Sequence, residues 1–122
     1  MTWLRTGIRS RKLIINDAKA LVHTVSGTAY LISPGVFQRY AQEYPQVAAL
    51  AKEVHLPAWQ WIQKRFEKLG LHRKQADGLN IWTCEVKGPR KSKLVHGYLL
   101  TDMQLLFDSP LSDNPYLHIM GK

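Results

Sequence analysis

Apolar residues recur along this chain with two different periods, and the switches between the periods mark out its elements. Trp3, Leu4 and Ile8 can share one helical face, which predicts a short first helix over Thr2–Ile8, followed by a basic link of Arg9, Arg11 and Lys12. Three β-branched stretches come next, Leu13–Ile15, Leu21–Val25 and Thr28–Ile32, and Ser26-Gly27 between the last two reads as a tight hairpin turn. The pattern returns to helical spacing after Ser33-Pro34, where a hydroxyl cap precedes a proline at the first helical position and Val36, Phe37, Tyr40 and Ala41 follow. Beyond Tyr44-Pro45, Val47, Leu50, Ala51 and Val54 stand at i, i+3, i+4 and i+7, the stripe of an amphipathic helix that ends near His55.

The best-marked helix runs from Ala58 to Leu69, opened by Pro57 and closed by Gly70, a residue that accepts the left-handed geometry of a helix stop. At 100° per residue Trp59, Ile62, Phe66 and Leu69 fall on one side, while Trp61, Lys64 and Lys68 gather on the other. Two strands follow, Gly78–Val86 and Lys93–Leu100, joined by the loop Lys87-Gly-Pro-Arg-Lys-Ser92. A short helical pattern over Asp102–Phe107 and an extended tail, packing through Tyr116, Leu117 and Ile119, complete the chain. Helix, connector, basic amphipathic helix and then a hairpin with a basic tip is the layout of a winged helix. The expected fold is therefore α+β, a helix-turn-helix with a β-hairpin wing plus a small additional N-terminal β element.

Length and composition bound this expectation. One domain accommodates all 122 residues, and 45% hydrophobic with 21% charged residues is ordinary globular usage. The net charge of +8 points to a polyanionic partner. Its location matters more: between Lys64 and Lys93 stand nine basic residues against three acids, so that a quarter of the chain carries +6 of the total. A solvated helix face explains one basic stripe; a second cluster at a hairpin tip favours nucleic acid.

Candidate chemistry is sparse. Cys84 is the one cysteine, with no partner for a disulfide or a zinc site, and it alternates with Trp82 and Val86 on one side of its strand as a small core residue would. His23, His55, His72, His96 and His118 form no metal-binding pair on a helix, and no phosphate-cradling glycine loop, nucleophile elbow or paired carboxylates occur. Asp77-Gly78 reads as a turn. The expectations are no catalysis, no metal, no cofactor, no membrane span or secretory signal, and a cytoplasmic protein.

Ala20-Leu-Val-His23, Tyr30-Leu-Ile-Ser-Pro-Gly-Val-Phe37, Leu71-His-Arg-Lys74, Asp77-Gly-Leu-Asn-Ile81, Gly97-Tyr-Leu-Leu100 and Asn114-Pro115 together form a more specific pattern. In these segments the chain resembles the C-terminal domain of conjugal-transfer nickase/helicase (relaxase) proteins of the TraI type, found in integrative conjugative elements and genomic islands. The resemblance covers most of the chain and implies a domain of a longer protein. The nickase and helicase activities it implies would lie in other regions, because no histidine cluster, relaxase tyrosine motif or nucleotide-binding loop stands here.

The resulting expectation is an accessory domain that binds duplex DNA. Lys64, Lys68, Arg73 and Lys74 serve at the recognition helix, and Lys87, Arg90, Lys91 and Lys93 on the wing, mostly to phosphates. Trp61 is placed to stack on a base or sugar, and Gln60 and Gln63 to reach base edges. The alternative is a protein-docking module, within the parent protein or the transfer machinery, with Trp61 and Tyr98 as aromatic anchors; RNA binding is a third reading.

Overall fold

The computed structural model describes residues 1–120. Helix α1 (Thr2–Arg9) leads into strands β1 (Val22–Val25) and β2 (Thr28–Ile32). Helices α2 (Gly35–Glu43), α3 (Gln46–Glu53) and α4 (Ala58–Leu69) follow, then β3 (Trp82–Lys87), β4 (Ser92–Leu99), a 3-10 turn (Met103–Leu105) and β5 (Leu117–Ile119). Most boundaries follow the hydrophobic pattern, and Gly70 stops α4 in the left-handed region at φ 68°. Leu13–Ile15 does not form a strand; it contributes one bridge, Ile15 to Val22. Ser33 does not cap α2, whose N-terminal position is Pro34.

All strand pairs are antiparallel, in the order β1-β2-β4-β3-β5. This order overturns the winged-helix expectation. A wing is a hairpin at the edge of a small sheet, whereas both outer edges of the β3–β4 hairpin are taken: β4 pairs with β2 (Leu31 opposite Tyr98) and β3 with β5 (Glu85 opposite His118). The hairpin is the centre of a five-stranded sheet, and the N-terminal hairpin is no small addition but two of its strands. Backbone groups on both sides of each central strand need partners, and the chain supplies them from residues far apart in sequence.

The sheet curls. Its edge strands approach one another, and the residues before β5 strap across to β1: the Asn114 N–H donates to Thr24 O (2.8 Å), and the Thr24 hydroxyl donates to Ser112 O (2.8 Å). Alternation along the strands gives the sheet two apolar faces. One face packs Val22, Ala29, Leu31, Tyr98 and Leu100 against the helices through Leu4, Phe37 and Phe66. The inner face of the curl is filled by Val25, Tyr30, Trp82, Cys84, Leu99 and Leu117. The Tyr30 hydroxyl is satisfied inside it, donating to Trp82 O at 2.6 Å with Val95 O at 3.2 Å, and burial pushes this phenol's pKa up. The Cys84 thiol is likewise raised by burial, to about 11, which removes it from thiolate chemistry at neutral pH. No helix among the described residues is long and apolar enough to cross a membrane.

Candidate nucleic-acid interface

Helix α4 lies against the sheet through Phe66, with Trp59 and Ile62 partly buried beside it. Leu69, expected on the same face, is 57% exposed at the last residue of α4, next to the stop at Gly70. A polar network fixes α4 in place. The Tyr98 hydroxyl donates to Glu67 Oε2 (2.6 Å), Asn80 Nδ2 donates to the same oxygen (3.4 Å), and His72 Nε2 meets Asn80 Oδ1 (2.9 Å). Burial and the neighbouring Glu67 both raise the Tyr98 pKa. Tyr98 is fully buried, so it is no anchor for a docking partner.

The connector after α4 is built from the same residues that carry the sequence resemblance. The Arg73 N–H donates to Leu99 O (2.7 Å) and Thr101 N–H to Leu71 O (2.8 Å), which lays 71–73 along the end of β4. Asp77 caps the turn by accepting from Leu79 N–H (3.0 Å), Gln75 Nε2 donates to Ile81 O (2.6 Å), and Trp82 Nε1 donates to Arg73 O (2.9 Å). His72 and Asn80 are thus structural residues that close this loop on α4. Arg73 and Lys74 remain exposed on it.

At the other end of the hairpin, Gly88 N–H donates to Lys91 O (3.1 Å) and Lys87 N–H to Tyr116 O (2.8 Å), so the segment entering β5 borders the tip. Lys87, Arg90, Lys91 and Lys93 are exposed. Lys93 pairs with Val86 and shares the inner face of the sheet, where its charge helps disfavour protonation of His23. Tyr116, expected to pack, is 62% exposed beside this tip. Sequence reasoning missed it because an aromatic between two apolar tail positions carries no sign of its orientation.

The structure therefore sorts the sequence-predicted residues into two groups at opposite ends of β4. Gln60, Trp61, Lys64, Lys68, Arg73 and Lys74 belong to α4 and its connector, held by Tyr98, and Lys87, Arg90, Lys91 and Lys93 to the tip. Five residues of strand separate Tyr98 from Lys93, roughly 17 Å at about 3.3 Å per residue. Gln60, Trp61 and Gln63 are half-buried, and Gln63 Oε1 is buried without a hydrogen-bond partner, which keeps that oxygen from a base edge. Arg65, outside the predicted set, lies 4.7 Å over the Trp61 ring.

Elsewhere among the described residues three cations are ion-paired, whereas Arg11, Lys12, Lys19 and Lys52 are not. Asp108 holds Arg5 (3.2 Å) and Arg9 (2.7 Å), and Glu43 holds Arg39 (3.3 Å). Hydrogen bonding to Arg9 and the two guanidinium charges keep the Asp108 pKa low. Among the described residues no lysine or arginine between 64 and 93 has a carboxylate within 4.0 Å. Nor do three or more of His, Cys, Asp and Glu gather as a metal site among them.

The fold matches the crystal structure of the C-terminal domain of Salmonella enterica protein STY4665, a DUF1528 domain. The two superpose with a TM-score of 0.76 at 26% identity, over 98% of this chain and 91% of that one. The shared architecture is the curled sheet with its helices, not a winged helix. No curated protein sequence matches the chain. Residues 1–119 match the family model described as "Putative conjugal transfer nickase/helicase TraI C-term", and the chain belongs to that family.

Proposed function

We propose that this chain is a non-catalytic DNA-contact domain of a conjugal-transfer nickase/helicase-type protein, holding duplex DNA by its phosphates. The observation that carries the reading is the concentration of nine cations between Lys64 and Lys93, none of them ion-paired with a carboxylate among the described residues. Unpaired surface cations are free to replace condensed counterions, which is the main source of sequence-independent affinity for DNA. The separation of the two clusters also suits a duplex. Roughly 17 Å along a strand corresponds to about five base-pair steps of about 3.4 Å, so a duplex that reaches both groups would meet α4 with its connector at one end and the hairpin tip at the other. Tyr116 beside the tip offers a ring to a sugar or an end base.

Binding of the purified protein to a fluorescent duplex across a salt series tests this, beside a variant with Lys87, Arg90, Lys91 and Lys93 changed to alanine. The expected result is a steep loss of affinity with salt, and a slope lower by about 0.9 for each phosphate contact that the variant loses. A folded protein that ignores duplex DNA at low salt would overturn the reading, and tighter binding to structured RNA of equal length would redirect it to RNA.

A further inference from the structure

The helical layer forms an open-mouthed cavity whose apolar interior the polyanion reading does not use, although Trp61 and Lys68 at its mouth are among the residues assigned to DNA contact. It has a volume of about 370 Å³ and lies between α1, α2, α3 and α4 over β2. Its inner wall is apolar, made by buried Leu4, Leu31, Phe37, Val47 and Phe66. Its more exposed lining residues define the mouth, and these include Trp61, Arg65 and Lys68 on successive turns of α4. The Arg65 guanidinium is held there by the Trp61 face at 4.7 Å and has no carboxylate partner.

We infer that this cavity is a binding site for a small amphipathic carboxylate, whose apolar body enters between α1 and α4 and whose carboxylate meets Arg65 and Lys68. A volume of this order is typical of small-ligand pockets, which range over about 300–1,000 Å³ and combine apolar walls with a few placed polar groups. The wall excludes a nucleobase: an inserted base would bury several hydrogen-bonding edges with nothing to meet them. A saturated chain or unsubstituted ring carries no such cost. The cation at the mouth then selects the sign of the head group, and a guanidinium braced on an indole presents the planar fork that pairs bidentately with a carboxylate. The inference stands on the cavity and its mouth, and does not depend on DNA binding.

Titration calorimetry with decanoate, and with 1-decanol and decyltrimethylammonium as neutral and cationic probes of equal chain length, reads the site directly. Decanoate is expected to bind saturably at one site, at least about tenfold more tightly than decanol, since its carboxylate gains charge-assisted contacts to Arg65 and Lys68 that the alcohol lacks. The cationic probe should bind weakest. Arg65→Gln, at an exposed position that leaves the core intact, should remove most of the margin of decanoate over decanol without altering decanol itself. Ile62→Trp, which narrows the cavity, should weaken both. Absence of saturable decanoate binding, or an affinity for decanoate that Arg65→Gln leaves unchanged, would overturn the inference; both variants are checked for native circular dichroism first.

Discussion

A side chain at position 97 has nowhere to go. A Cβ built on Gly97 would overlap the carbonyl oxygen of Leu31 and stand 3.1 Å from Cζ of the Tyr30 ring. The glycine lets Tyr30 lie across β4 and deliver its hydroxyl to Trp82 O, so two residues far apart in sequence are bound into one arrangement. Neither obstacle is a flexible chain end, and Gly97→Ala is expected to cost about 2–4 kcal/mol in denaturant unfolding. His23 supports a second prediction. It is buried with Nε2 3.1 Å from Ala20 O and Nδ1 3.2 Å from Asn114 Nδ2, a set of partners that suits the neutral ring donating through Nε2. Burial holds its pKa below the ordinary 6.5, against a smaller opposing pull from Ala20 O. The unfolded chain therefore takes up the proton first as pH falls. The stability that the neutral ring confers is complete above pH 6.5 and is lost as pH drops below it towards the folded value. In His23→Gln the slope of unfolding free energy against pH below about 6.5 should flatten, measured in parallel urea titrations.

Elements were legible where one local rule dominated. Helix α4 runs from Ala58 to Leu69 as its pattern, its opening proline and its closing glycine predict. The turn at Ser26-Gly27, with both residues at positive φ, is likewise written in two adjacent residues. Leu13–Ile15 shows the limit of such reasoning. Three apolar residues predict a strand, but a strand needs an edge to pair with, and only Ile15 reaches one. The β3–β4 hairpin shows the same limit at larger size, since its two strands and basic tip are visible in the sequence while its neighbours are not. Because the tip side chains are exposed and unpaired, replacing Lys87, Arg90, Lys91 and Lys93 by alanine should move the melting temperature by no more than about 2 °C, measured by circular dichroism. Lost DNA affinity in that variant can then be read as lost contact.

The whole molecule is held by contacts that join its ends. Asn114 meets His23 through Nδ2, accepts from Tyr116 N–H at Oδ1 (3.0 Å) and donates its own N–H to Thr24 O, closing the β5 edge onto β1. Asn114→Ala leaves His23 Nδ1 and the Tyr116 amide without partners, and should cost about 1–3 kcal/mol. Hydrogen exchange should locate the loss, with the Leu117 and Met120 amides exchanging faster while those of β2 and β4 stay protected. Unchanged protection of β5 would show that the strap does not hold the curl.

Period, turn residues and charge are local properties, so the sequence by itself determined the helices, the two hairpins, the buried place of Cys84 and the concentration of cations between Lys64 and Lys93. The resemblance carried by Leu71–Lys74 and Asp77–Ile81 also pointed correctly to the family, although the reason for that pattern, a loop closed on α4 through His72 and Asn80, was invisible in it. Only the tertiary structure decided that the hairpin is the centre of a curled sheet rather than a wing, that the cations form two groups a strand length apart, and that an apolar cavity opens beneath Arg65. The physical reason is common to all three. Each depends on which distant backbone edges pair and which faces meet, and those choices are made by the summed burial and hydrogen bonding of the whole chain, which no window of sequence contains.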